Sequence, residues 1–146
     1  MHVAAPPAQV WALVSDPTRT GEFSPENTGA RWTDGATGPA VGATFTGSNR
    51  HGPVEWSTRC TVVAAEPETH FAFQVRESAM RWGYRLRPVD GGTEVLQYRV
   101  QVGPKPWYAR LASASGVLGR HREDLMREGM RRTLNAVARA AERPAG

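Results

Sequence analysis

The side chains best suited to moving a proton near a small organic molecule are the phenols of Tyr84 and Tyr98 and the imidazole of His51. A phenol donates a hydrogen bond to an oxygen acceptor, and a histidine exchanges a proton near neutral pH. Asn49 and Thr58 add polar atoms close by in sequence, and Arg50 and His121 add charge. Each is also what a satisfied polar residue looks like, which is the commoner case. Sharper chemistry is missing. There is no G-x-S-x-G elbow, no phosphate loop and no dinucleotide fingerprint. Residues 35–42 are glycine-rich without the spacing of those motifs and read as a loop. His2, His51, His70 and His121 lack metal-ligand spacing, so no metal and no cofactor is expected. Cys60 is the one cysteine, and a thiol in apolar surroundings is usually inert.

Composition narrows the classes that could carry such residues. The chain has 146 residues, enough for a single domain over 1–146 with its own core. Hydrophobic residues make up 40% and charged residues 22%, which excludes a disordered or fibrous chain. A lone cysteine excludes an internal disulfide. No stretch reaches the roughly 18–20 apolar residues of a membrane span, and no export leader is visible. The cytoplasm is the default compartment. The net charge is +4, from 18 basic and 14 acidic residues, and every basic residue but Lys105 is arginine. The high pI therefore reflects arginine usage with acids interleaved, and no nucleic-acid partner is expected.

The elements that must position these side chains follow from periodicity. Prolines at Pro6 and Pro7, then Val10, Trp11, Leu13 and Val14, predict a short helix over about residues 7–14 that Pro17 ends. A further helical turn is expected over about residues 17–22. Period-two alternation then marks strands over 44–49, 54–62, 70–75, 81–87 and 93–102. Arg50-His51-Gly52-Pro53 and Pro88-Val89-Asp90-Gly91-Gly92 are turn chemistry between them. Consecutive strands with tight turns make an antiparallel meander. Residues 103–117 are ambiguous. A long helix is predicted from about 117 to 142, with Leu118, Leu125, Met126, Met130, Leu134, Val137 and Ala141 on one face.

The alternation also predicts which strand face is apolar. One side is expected to carry Phe45, Asn49, Trp56, Thr58, Cys60 and Val62, then Phe71, Phe73, Trp82, Tyr84 and Leu86. Leu96, Tyr98, Val100 and Val102 are expected to continue it. The opposite, wetted side takes Glu55, Arg59, Gln74, Arg85, Glu94, Gln97, Arg99 and Gln101. A single helix is about 10–12 Å wide and cannot fill the hollow of a twisted sheet of six to seven strands. Either large side chains close the gap or a cavity remains, lined by rings with a few polar atoms. An ordinary aromatic core fits the same pattern.

Taken in order, these segments resemble the START-like superfamily, also called SRPBCC or Bet v 1-like, of the polyketide cyclase/dehydrase and lipid-transport type. The resemblance rests on Ala5-Pro6-Pro7-Ala8-Gln9-Val10-Trp11 through Asp16-Pro17, and on Val41-Gly42-Ala43-Thr44-Phe45. Trp56-Ser57-Thr58, Phe71-Ala72-Phe73, Trp82-Gly83-Tyr84, Gly91-Gly92-Thr93-Glu94-Val95 and the stretch around Gly129-Met130 complete it. It covers nearly the whole chain. It implies an α+β helix-grip fold: a curved antiparallel sheet wrapped around a long C-terminal helix, with two short helices after the first strand. The family usually opens with a full first strand; here only residues 1–4 precede Ala5. Phe23 stands before Ser24-Pro25 where a tryptophan is common, which keeps an apolar plug.

The resemblance implies a partner: a hydrophobic small-molecule ligand, such as a polyketide or lipid, held between sheet and helix. The expected lining is Phe45, Asn49, Trp56, Thr58, Phe71, Phe73, Trp82 and Leu96 from the strands, with Met126 and Met130 from the helix. An alternative is a polyketide cyclase, aromatase or dehydratase in the same cavity. A poly-β-ketone is intrinsically reactive, so shape plus one proton donor could suffice. Tyr84 and Tyr98 are then the donors and His51 the base at the mouth. A third reading is a protein-interaction module with a collapsed pocket. A homodimer is left open by all three.

Overall fold

The computed structural model describes residues 1–22, 27–103 and 117–142, without the side chains of residues 20–22, 27, 51 and 117–126. The first strand, β1, is two residues long, His2–Val3. Helix α1 follows over Pro7–Val14, and a 3-10 helix over Pro17–Glu22. Six more strands come next. They are β2 Asn27–Thr33, β3 Thr44–His51, β4 Val54–Glu66, β5 His70–Val75, β6 Met80–Val89 and β7 Gly92–Gln101. The chain closes with helix α2, Val117–Ala141. All seven strands form one antiparallel sheet in the order β1-β7-β6-β5-β4-β3-β2. This is the expected helix-grip arrangement.

Local chemistry explains the early elements. Pro7 costs α1 nothing, because the first-turn N–H groups have no helical acceptor. Val10, Leu13 and Val14 recur on its buried side. The helix stops where Ser15 Oγ donates to the Trp11 carbonyl at 2.6 Å and Pro17 approaches. Asp16 Oδ1 then accepts from the Thr18 N–H at 3.0 Å, which opens the 3-10 turn.

Strand β2 is not among the strands predicted from alternation. Its sequence, NTGARWT, mixes Asn and Gly with few β-branched residues, so its propensity is weak. Tertiary pairing supplies what propensity lacks: Trp32 stands opposite Phe45 and Ala30 opposite Gly47. A bulge between Val62 and Ala64 resets the alternation of β4, so that both Val62 and Ala65 lie on the inner face, opposite Phe73 and Phe71.

The inner face is sealed at one pole. There β1, α1, the end of α2 and the β6–β7 hairpin meet. Val3, Val10, Val62, Phe71, Val95 and Val137 are each at most 1% exposed. Polar contacts lock the same pole. Gln9 Nε2 donates to the Ala141 carbonyl at 2.6 Å, and the Ala4 N–H donates to Glu142 Oε1 at 2.9 Å. The Thr93 hydroxyl, wholly buried, donates to the Ala5 carbonyl at 2.7 Å. On α2, Thr133, Val137 and Ala141 are buried at four-residue spacing, while Met130 and Leu134 are half-buried. Glu128 and Arg132 pair at 2.8 Å on its wet side, a contact worth a few tenths of a kcal/mol. No helix among the described residues is long and apolar enough to cross a membrane.

Candidate functional site

Antiparallel partners share a face, so the register assigns every side chain of the sheet to the inside or the outside. Across β6 and β7, Leu86 stands opposite Val95, Tyr84 opposite Gln97, and Trp82 opposite Arg99. Across β5 and β6, Phe71 stands opposite Tyr84 and Phe73 opposite Trp82. These pairs make successive inner rows that run away from the sealed pole. Exposure rises along them. Leu86 and Val95 are 5% and 1% exposed, Tyr84 is 8% exposed, and Trp82, Phe73 and Arg99 are half-buried. On β3 and β4, Asn49 faces Trp56, and Trp56 is 37% exposed at the far end.

Rings form a continuous path along this face. Trp11 meets Phe71 at 6.1 Å between centroids, Phe71 meets Phe73 at 6.1 Å, Phe73 meets Phe45 at 5.3 Å, and Phe45 meets Trp32 at 5.6 Å. Most of these contacts are edge-on, the arrangement favoured by the quadrupoles of the rings. The Arg99 guanidinium lies 6.0 Å from the Trp82 ring centroid.

Few polar atoms interrupt the rings. The Tyr84 hydroxyl accepts a hydrogen bond from Gln97 Nε2 at 3.2 Å. Gln97 Oε1 is buried and has no hydrogen-bond partner. Burial pushes the Tyr84 phenol up to about 12, so it stays neutral and keeps a proton to donate. Asn49 Nδ2 donates to Thr58 Oγ1 at 3.4 Å, and the Cys60 thiol lies 3.9 Å from the same oxygen. Burial pushes that thiol up to about 12 as well, which removes it as a nucleophile. Among the described residues, no group of three His, Cys, Asp or Glu could hold a metal ion.

The register brings Phe45, Asn49, Trp56, Thr58, Phe71, Phe73, Trp82 and Tyr84 to the inner face. Met130, on α2, is half-buried. It does not bring Leu96 or Tyr98 there. Leu96 stands opposite Arg85 and Tyr98 opposite Gly83, both on the outer face, and Leu96 is 57% exposed. Val100, opposite Arg81, shares the outer side and is 50% exposed, and Val102, past the end of β7, is 37% exposed. Gln97, Arg99 and Gln101 take the inner positions instead. The physical reason is the turn. Val89 pairs with Gly92 around Asp90-Gly91, where Gly91 adopts a φ of 78°. A two-residue turn fixes the pairing, and one residue of slip would invert the whole strand. Counting outward from that turn would have placed Val95 against Leu86. The side chains of His51, His121 and Met126 lie outside the described residues, as do residues 104–116.

Described residues also form surface clefts away from the space between sheet and α2. One, of about 560 Å³, is formed by the loop between β2 and β3, including Asp34, Thr37 and Pro39. Another, of about 530 Å³, lies on the outer face between Arg31, Arg59, Arg76 and Glu77.

Comparison with known proteins bears on the same fold. Over residues 1–143 the chain matches the family described as polyketide cyclase / dehydrase and lipid transport. A solved polyketide-cyclase-like protein from Corynebacterium glutamicum is 37% identical, with 95% of this chain and 86% of that chain covered and a TM-score of 0.66. A protein from Chromobacterium violaceum is 14% identical, with 99% and 95% covered and a TM-score of 0.71. The di-domain ARO/CYC StfQ of the steffimycin biosynthetic pathway is 14% identical, with a TM-score of 0.71; this chain is covered over 97% and spans 48% of that one. No curated protein matches significantly. Sequence match, seven-stranded sheet and gripping helix agree: the chain belongs to the polyketide cyclase / dehydrase and lipid transport family of the SRPBCC fold.

Proposed function

We propose that this protein binds a hydrophobic small molecule, a polyketide, lipid or similar, between the inner face of the sheet and α2. One observation carries the reading. The inner rings pass from sealed at the α1 pole, with Phe71 1% exposed, to half-open at the far pole, with Trp56 37% exposed. Half-exposed tryptophans on the concave side of a sheet hold unrealised burial. Covering about 100 Å² of such apolar surface is worth about 2.5 kcal/mol. Inner-face positions available to such a ligand are Trp32, Phe73, Trp82 and Trp56, with Asn49 and Thr58 as flanking polar groups. The same reading places the protein in the cytoplasm, where a reduced, buried cysteine is ordinary. The test is native mass spectrometry of protein purified from its own source. A bound apolar compound is the expected result, and repeated recovery of bare protein that also ignores added apolar probes would overturn it.

A second reading is favoured by Tyr84 alone. A buried phenol held neutral can polarise a ketone oxygen, which is the one protein function a self-cyclising poly-β-ketone requires. The similarly folded di-domain ARO/CYC StfQ supports it by analogy only. It predicts ring formation from a linear poly-β-ketone, with the rate lost in Tyr84→Phe.

A further inference from the structure

We propose that Tyr84 and Gln97 together form the polar anchor of this site, and that the group they hold is a ligand hydroxyl: an alcohol, phenol or enol. The inference rests on the apolar-ligand reading above. Gln97 as a residue is half-buried, yet its Oε1 is closed off from water and meets no donor. A carbonyl oxygen in that position forfeits its hydration for nothing, which folded proteins rarely tolerate. The Tyr84 hydroxyl accepts from Gln97 Nε2, and among the described residues no acceptor takes its proton. The pair therefore has one unmet acceptor and one unmet donor side by side. Exchanging the amide nitrogen and oxygen does not change that count. The phenol would then donate to Oε1, leaving an amide N–H and a phenol lone pair unmet.

A hydroxyl is the smallest group that answers both, because it donates once and accepts as well. A ketone or an ether answers only the donor, and a hydrocarbon answers neither. Position agrees with this role. The Tyr84–Gln97 row lies between the sealed Leu86–Val95 row and the half-buried Trp82–Arg99 row. A flat molecule resting on Trp82 lies one row from the pair, and the Gln97 side chain must shift to present Oε1 to it. Specificity then comes from desolvated polar atoms that a hydroxyl satisfies and a ketone, ether or hydrocarbon does not.

The experiment is a calorimetric titration of the protein with three matched probes: 2-naphthol, 2-methoxynaphthalene and naphthalene. The expected result is 2-naphthol binding at least about fivefold more tightly than 2-methoxynaphthalene, which can accept but not donate. Tyr84→Phe and Gln97→Leu should each bring that ratio to within about twofold. Equal binding of all three probes by the wild-type protein overturns the anchor and leaves the apolar site standing. A ratio that survives in both variants overturns the assignment to this pair. Failure of every probe to bind overturns the apolar-ligand reading and the anchor with it.

Discussion

The ring of Tyr98 lies over Gly83 on the outer face of the sheet, and its hydroxyl meets Nε2 of His70 at 2.5 Å. The Arg85 guanidinium stands 5.8 Å from the same ring's centroid. A Cβ at position 83 would collide with the far end of Tyr98. That end can swing aside, because it is half-buried at the tip of a long side chain. Gly83→Ala should thus lose one hydrogen bond, about 1 kcal/mol, and recover about 0.5–1 kcal/mol from replacing a strand glycine. Urea unfolding should show a net change below about 1 kcal/mol, while the His70 ring resonances shift. Unmoved resonances would show that the contact survives.

His70 also sets a pH dependence. Burial, and then the charge of Arg85, hold its imidazole below the ordinary value near about 6.5. The unfolded chain consequently takes up this proton first as pH falls. Its contribution to stability is full above about pH 6.5 and is lost progressively below it. The Tm should fall between pH 7 and 5, and fall less in His70→Gln. An identical decline in both proteins would refute the assignment.

Tyr98, being outside, should be dispensable to any ligand held inside. Tyr98→Phe is expected to leave apolar-probe affinity within about twofold, since it shares no partner with the inner rows. A loss comparable to that of Tyr84→Phe would mean that the two faces communicate.

Cys60 should react slowly. With its thiol at about 12, almost none is thiolate at pH 8. Modification by a disulfide reagent should be at least about a hundredfold slower in the folded protein than in urea. A native rate close to the unfolded rate would place the thiol in water.

The two poles of the inner face should differ in energetic weight. Phe71→Ala, at 1% exposure, is expected to cost about 3–5 kcal/mol. Trp56→Ala, at 37% exposure, should cost less than Phe71→Ala and mainly weaken apolar binding. Equal losses in chemical denaturation would remove the gradient on which the site depends.

Most of the architecture was legible in the amino-acid order. Pro7, the stripe of Val10, Leu13 and Val14, and Pro17 bound α1 within the chain itself. The turn residues Gly52 and Gly91 mark both hairpins, and the helical period from Met130 to Ala141 marks α2. These signals are local, because each depends on residues within one or two turns of each other. Phe45, Phe71, Phe73 and Trp82 were assigned to the inner face for the same reason: their strands alternate cleanly.

Strand β7 is where local pattern stops being enough. Thr93, Val95 and Gln97 alternate with Leu96, Tyr98 and Val100, and both sets look apolar enough to face a core. Hydrophobicity alone favours the second set. The Asp90–Gly91 turn favours the first, since it couples Val95 to Leu86 and so to the buried end of the sheet. The amino-acid order thus determined the helix-grip fold and the ring-lined inner face. Only the tertiary structure decided that Gln97, not Tyr98, joins Tyr84 there, because a strand's face is chosen by what its neighbour pairs with and not by its own composition.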